Sequence, residues 1–303
     1  MIVRPRLHWF RMLFVWRGSV LFDIAPQLLL TTGIAIVVTV LHGQIFKSKI
    51  PLTFVPFSLI GLTLAVFLGF RNNTSYARYW EARSLWGGLL NESRSLARQA
   101  LTLVDEREQA SVLINRLIAF THALRHQLRG TDPTSDLRRL LSAQDCERLD
   151  QALYKPAILL LMAGEWLQQL RLGGKLSPVL LPAMEVHLGR LCEVLGGCER
   201  IANTPIPFTY GVIIHRIIYF YCWLLPFGLV DSVGSMTPLV VMFVAYTFFA
   251  LEALSAQLEE PFGLEPNDLA LNALSWTIEN SLRDMQGEKN LIAMPQEKGF
   301  ILD

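Results

Sequence analysis

The stretch Phe67–Gly88, FLGFRNNTSYARYWEARSLWGG, begins as a lipid-soluble helix and ends as a charged, aromatic one. A bilayer span ordinarily gives way at its first charges, and a Gly or Pro then breaks the helix. Here Arg71 arrives and fifteen residues pass before the next glycine, Gly87. The pattern predicts one helix that leaves a membrane and continues into water.

Working outward, Ile24–Leu41 and Pro51–Phe70 are both free of charge, and a bilayer asks for roughly 20 predominantly apolar residues. Ile217–Val230, with a flank reaching back to Tyr210 past Arg216, is a third candidate span. Ser232–Leu251 is the fourth, and the short DSVGSMTP turn makes the last two a helical hairpin. Arg4, Arg6, Arg11 and Arg17, with no acid before Asp23, place the N-terminus inside,. Lys47 and Lys49 after the first span are a weaker opposing signal. Four crossings return the C-terminus to the same side. The expected location is the cytoplasmic (inner) membrane, multi-pass, with both termini cytosolic.

Composition agrees. Of 303 residues, 52% are hydrophobic and 17% charged, with a formal net charge of +1, which suits a membrane protein and offers nothing to nucleic acid. The four cysteines have no CxxC or metal-ligand spacing and are expected to be buried thiols,. In the N-terminal segment, arginines alternate with Trp9, Phe10, Phe14 and Trp16, which suits a helix lying in the membrane interface,.

The middle of the chain reads as soluble helices. SVLINRLIAFTHALRHQL has helical spacing, TDPTSDLRRLL starts a helix capped by Thr131 or Asp132, and two more helices end near Gly173 and before Gly196–Gly197,. The tail is expected to form one helix over Asp268–Met285 and then a frayed end, and no strand is expected. The resulting division is an interfacial segment over 1–19 and the first two membrane helices over 20–70. A cytosolic helical region over 71–205 continues the second helix, two more membrane helices occupy 206–257, and a cytosolic segment covers 258–303.

The chain lacks GxSxG, GxGxxG and a phosphate loop,. His122 and His126 share a helix face at i, i+4 without an intervening Glu or third ligand, so an ordinary surface or interfacial pair is expected,. Glu259 and Glu260 with Asp268 could suggest a cation site, but a solvated stretch after the fourth span explains them as well. No catalytic centre, metal or cofactor is expected. The second span is more informative. Leu62, Val66 and Phe70 recur every four residues on one stripe, and Gly61, Ala65 and Gly69 on its neighbour. Small residues at that interval let helices approach closely in a bilayer. Periodicity alone leaves two uses open, a seam between subunits or a helix contact inside one chain. Arg71, Arg78, Glu81 and Arg83 fall where the helix leaves the membrane, and Arg78 can pair with Glu81 three residues on,.

Pro56–Gly87 resembles the second helix of the bestrophin channels in their shorter bacterial form. GGCERIANTPIPFTY (Gly196–Tyr210) resembles that family's entry to its third span, LEEPFGLEPNDLALNAL (Leu258–Leu274) the stretch after its fourth, and RPRLHWFRMLFVWRGSV its N-terminus. The resemblance implies an all-α membrane protein with four transmembrane helices and a cytosolic helical domain, assembled as a homopentamer around a central pore. It implies an apolar neck at Leu62, Val66 and Phe70, and a cytosolic aperture at Val179, or at Leu180 if the register slips by one. Partners would be other copies of the chain, membrane lipids and permeating monovalent ions.

Animal members carry an acidic run after the fourth helix that clasps calcium. Here EEPFGLEPNDLA breaks that run, so calcium gating is not expected,. The neck stripe bears no charge, which leaves chloride and cations both open. A membrane-embedded enzyme acting on lipid-like substrates and a non-conducting scaffold are the competing readings. The first would need clustered carboxylates or histidines, where the spans offer only Asp23, His215, Arg216 and Asp231.

Overall fold

The computed structural model describes all residues except 6–7, 17, 46–47, 50–51, 105–106, 294 and 296–299. Arg6, Arg17, Lys47 and Pro51, invoked above, lie outside the described residues. The helices are α1 (Trp9–Met12), α2 (Leu21–Val40), α3 (Phe54–Leu103), α4 (Arg107–Arg129), α5 (Thr134–Leu140), α6 (Ala143–Asp150), α7 (Lys155–Leu172), α8 (Leu181–Asn203), α9 (Phe208–Val233), α10 (Thr237–Glu259) and α11 (Leu271–Gln286). Among the described residues the architecture is all-helical apart from a two-residue antiparallel pair, Gln44–Ile45 with Ser48–Lys49, and a bridge between Ile2 and Ile301. Only the pair departs from the expectation of no strand; the bridge is isolated and forms none. The end expected to fray lies partly outside the described residues; at its last residues Leu302 N–H donates to the Met1 carbonyl and Val3 N–H to the Phe300 carbonyl, each at 2.9 Å.

The chain divides into two compact units. One comprises Arg4–Tyr79 and Pro205–Pro261. Its three apolar runs, Leu21–Val40, the start of α3, and Phe208–Glu259, are long and apolar enough to cross a bilayer. The last run is the hairpin of α9 and α10, separated by a single 3-10 turn over Gly234–Met236. Ser232 lies inside α9 rather than opening the fourth helix as expected. The helix stops only at Gly234, whose φ of 60° and ψ of −130° suit a residue without Cβ,. Ile24, Phe57, Leu64, Leu68, Ile218 and Val241 belong to one buried core, to which α2, α3, α9 and α10 all contribute. Threonines in these helices fold their hydroxyls onto the carbonyl four residues back, as in Thr32 to Leu28 (2.8 Å) and Thr39 to Ala35 (2.7 Å). That satisfies a polar group without a partner from outside the helix.

In the segment expected to hold an interfacial helix, α1 is a single turn. His8 caps it, its Nδ1 accepting from Phe10 N–H at 3.4 Å, and Gly18 turns the chain at φ 78°. The rings of Trp9, Phe10, Phe14 and Trp16 are all exposed.

The other unit comprises Met1–Val3, Trp80–Thr204 and Phe262–Asp303. Its core is built from side chains such as Trp86, Leu89, Leu113, Ile118, Phe120, Leu149 and Leu191. The glycine pairs read as breakers do not break anything: α3 runs through Gly87–Gly88 and α8 through Gly196–Gly197. A Cβ on Gly197 would lie 2.8 Å from the Leu85 side chain, and one on Gly88 would lie 3.6 Å from Val194. Glycine here lets α3 and α8 approach, a requirement set by a residue more than a hundred positions away. The helix at TDPTSDLRRLL begins at Thr134, after the position expected, with Asp132 Oδ1 accepting from Thr134 N–H at 3.0 Å. The tail helix likewise begins at Leu271 rather than Asp268. Of the cysteines, Cys198 and Cys222 are buried, Cys146 is half-buried and Cys192 is exposed, so burial holds for only some of them. Burial pushes the Cys198 thiol up to about 12.

Candidate functional site

α3 has two unlike faces in its first half. Phe57, Leu64 and Leu68 are buried in the core. Leu62, Val66 and Phe70 point away from it, 66%, 49% and 62% exposed. Three large apolar side chains spaced one turn apart and left bare mark a surface meant for something other than water. The neighbouring small residues divide between two environments. A Cβ on Gly61 would fall 2.8 Å from the Tyr221 hydroxyl, so this glycine admits α9 within the same chain. Ala65 and Gly69 are exposed, and nothing lies within 4 Å of a Cβ built on Gly69.

The charges that follow have specific partners. Arg71 is 8% exposed, and its Nη2 lies 3.5 Å from Glu259 Oε2. Arg78 Nε donates to the Glu259 carbonyl at 3.0 Å. Between them, the buried hydroxyls of Ser75 and Ser255 meet at 3.0 Å, so three successive turns of α3 are tied to the end of α10. Sequence reasoning took Glu259 for part of a solvated stretch, which its pairing with Arg71 corrects, and it missed Ser255. Glu259 was legible as an acid after an apolar run, but nothing local distinguished it from its exposed neighbour Glu260. In the other unit, Glu81 pairs with Arg200, and Arg83 is exposed. There too, Val179 lies in the turn between α7 and α8 and is 84% exposed, whereas Leu180 is half-buried as the N-cap of α8.

The family model for bacterial and fungal bestrophin proteins matches residues 1–284. The chain belongs to the bestrophin family. It is 53% identical over 306 aligned residues to a voltage-dependent anion channel-forming protein of Ralstonia nicotianae, with 100% of each chain covered. It is 43% identical over 293 residues to the voltage-dependent anion channel-forming protein YneE of Escherichia coli K12, covering 97% of this chain and 96% of that one. Among solved structures it resembles a bacterial bestrophin homologue from Klebsiella pneumoniae at 44% identity and a TM-score of 0.86, covering 88% of this chain and 100% of that one.

This bestrophin also holds a buried charge network that the sequence did not suggest. His122 is buried rather than on a helix surface. Its Nε2 lies 2.7 Å from Glu279 Oε2 and its Nδ1 lies 3.4 Å from Asp136. His126 and Arg125 reach Asp136 at 3.1 and 2.7 Å, while Arg139 pairs with Glu279 and Arg283 reaches it at 2.9 Å. Burial alone would raise the Glu279 carboxyl, but hydrogen bonds from His122 and Arg139 outweigh it and hold the group well below the usual range,. Burial also opposes ionisation of Asp136, and His122, His126 and Arg125 overcome it, again lowering the group. Among the described residues no cluster of three or more His, Cys, Asp or Glu could hold a metal ion. The ion pairs of the network clamp α4, α5 and α11 of this bestrophin together by charge.

Proposed function

We propose that the chain is one subunit of a homopentameric channel of the inner membrane, conducting small monovalent ions along its five-fold axis. In this reading α2, the first part of α3, α9 and α10 cross the bilayer, both termini are cytosolic, and 71–205 with 258–303 build the cytosolic part. Leu62, Val66 and Phe70 form the neck, Val179 the aperture, and Arg71, Arg78, Glu81 and Arg83 the junction between membrane and cytosol. Ala65 and Gly69 serve the seam between subunits, while Gly61 serves packing within the chain.

The observation that carries this reading is the bare stripe on α3. Repeated around an axis, it forms rings that offer a permeating ion no replacement for its hydration shell. Such rings gate by width and wetting. The exposed tip of Val179 makes it a better aperture candidate than the half-buried Leu180. The names of its relatives favour anions as the permeant species.

Reversal potentials of the purified protein in planar bilayers under asymmetric KCl test conduction and sign together. An anion channel shifts toward the chloride equilibrium potential. Absence of any current, or a shift toward the potassium potential, rejects the channel or its sign respectively. Alanine at Leu62, Val66 and Phe70 together should widen the neck and raise conductance severalfold, and an unchanged conductance would remove the neck assignment.

A further inference from the structure

Beside the first turn of α9 lies a cavity of about 530 Å³. Its charged lining is Arg71, His215, Arg216, Glu252, Glu259 and Glu260. Two of these carboxylates are already engaged: His215 Nδ1 lies 2.7 Å from Glu252, and Arg71 Nη2 lies 3.5 Å from Glu259.

Arg71 is the unusual member. Its side chain is only 9% exposed, its Nε has no hydrogen-bond partner, and 3.5 Å is long for its ion pair. Charge-assisted N–H···O bonds close to about 2.7–2.9 Å. A guanidinium carries five donors, and burying one with so little to accept them is costly. The Arg71 guanidinium is therefore short of acceptors. The N-terminal end of the α9 helix dipole adds partial positive charge at the same place,. Arg216 and Glu260 stand exposed on the wall, supplying one further cation and one anion. A compact group with an anionic end and an ammonium end matches this arrangement, and the volume suits a small ligand.

We propose that the cavity binds a phosphoethanolamine group, its phosphate on Arg71 and Arg216 and its primary ammonium on Glu260. This rests on the reading that α3 and α9 cross the bilayer, which brings Arg71, at the end of the apolar run, to the depth of lipid headgroups. Because Arg71 follows Phe70 directly, a bound group also braces the last turn of the bare stripe.

The test is native mass spectrometry of the detergent-solubilised full-length protein titrated with lysophosphatidylethanolamine, lysophosphatidylcholine and lysophosphatidylglycerol. The ethanolamine lipid should bind about tenfold more tightly than either, the size of effect expected for one charge-assisted hydrogen bond. Arg71→Gln should abolish binding. Since that variant can also fail to fold, two exposed positions carry the decision. Arg216→Gln should weaken binding of all three lipids, and Glu260→Gln should erase the preference for ethanolamine over choline. Equal binding of the three lipids, or a preference that survives Glu260→Gln, overturns the proposal. Soluble phosphoethanolamine separates the sources. Displacement of the lipid supports the site and admits the free headgroup; retention of the lipid supports the site and names the bilayer as its source. Flux measured on the same preparation keeps the two readings apart, since conduction without lipid preference sinks only this one and preference without conduction sinks only the channel.

Discussion

The two units of the chain solve the problem of polar groups in opposite ways. In the unit of α2, α9, α10 and the start of α3, the hydroxyls of Thr32 and Thr39 turn back onto their own helices, and the polar ties between helices are gathered at Arg71, Ser75 and Arg78, where α3 meets the end of α10. In the other, a buried carboxylate, Glu279 at 1% exposure, is surrounded by His122, Arg139 and Arg283 drawn from different helices. Their surfaces differ too. The first unit leaves Leu29, Leu30, Leu62, Phe70, Phe220 and Phe243 bare, whereas α4 buries its leucines and isoleucines. A helix that hides polar groups and displays apolar ones is built for surroundings without water; one that does the reverse is built for water.

Removing one partner from the buried network should have the largest effect. Glu279→Ala leaves three cationic or ionisable groups without their shared acceptor, a loss of about 3–5 kcal/mol, or roughly 10 °C in thermal midpoint. A midpoint within 2 °C of the parent would mean the network is not what separates the units. Alanine at Leu62, Val66 and Phe70 is the converse experiment. These side chains touch little of their own chain, so stability should change by no more than about 0.5 kcal/mol per position while conductance rises.

Acid should then distinguish the units. The folded-state carboxyls of Glu279 and Asp136 are depressed, so their stabilisation is complete above their unfolded values of about 4 and is lost as pH falls below them,. Hydrogen exchange at decreasing pH should therefore open α4 and α11 before α2 and α10, and simultaneous opening would erase the contrast. The smallest effect is expected at Asp268. It is buried with Oδ1 unpartnered, and burial raises it to about 6. Its ionised form is a liability above that pH, which disappears as the folded group takes up a proton. Asp268→Asn should gain about 2–4 °C at pH 8, corresponding to about 1 kcal/mol, and less at pH 5. An equal gain at both would point to packing rather than charge.

Much of α2, α7, α9 and the uninterrupted course of α3 was legible because apolar runs and helical periodicity are local properties. The glycine pairs were misread for the opposite reason. Whether Gly197 ends a helix or admits a neighbour depends on Leu85. His122 was similarly opaque, since its partners Asp136 and Glu279 lie on α5 and α11 and share no spacing rule with it. The Arg71–Glu259 contact joins positions 188 apart, beyond the reach of any local pattern.

By itself the sequence determined that the helix carrying FLGFRNN passes its charges without stopping, since only local propensity and the absence of a breaker are needed for that. It also determined which side chains form the apolar stripe, because a period of 3.6 places Leu62, Val66 and Phe70 together whatever surrounds them. Only the tertiary structure decided that this stripe is left bare while Leu64 and Leu68 are covered, and that Gly61 is spent on Tyr221. It alone also left Arg71 buried with too few acceptors. Periodicity specifies a face; which face is covered depends on the helices that arrive from distant sequence to pack against it.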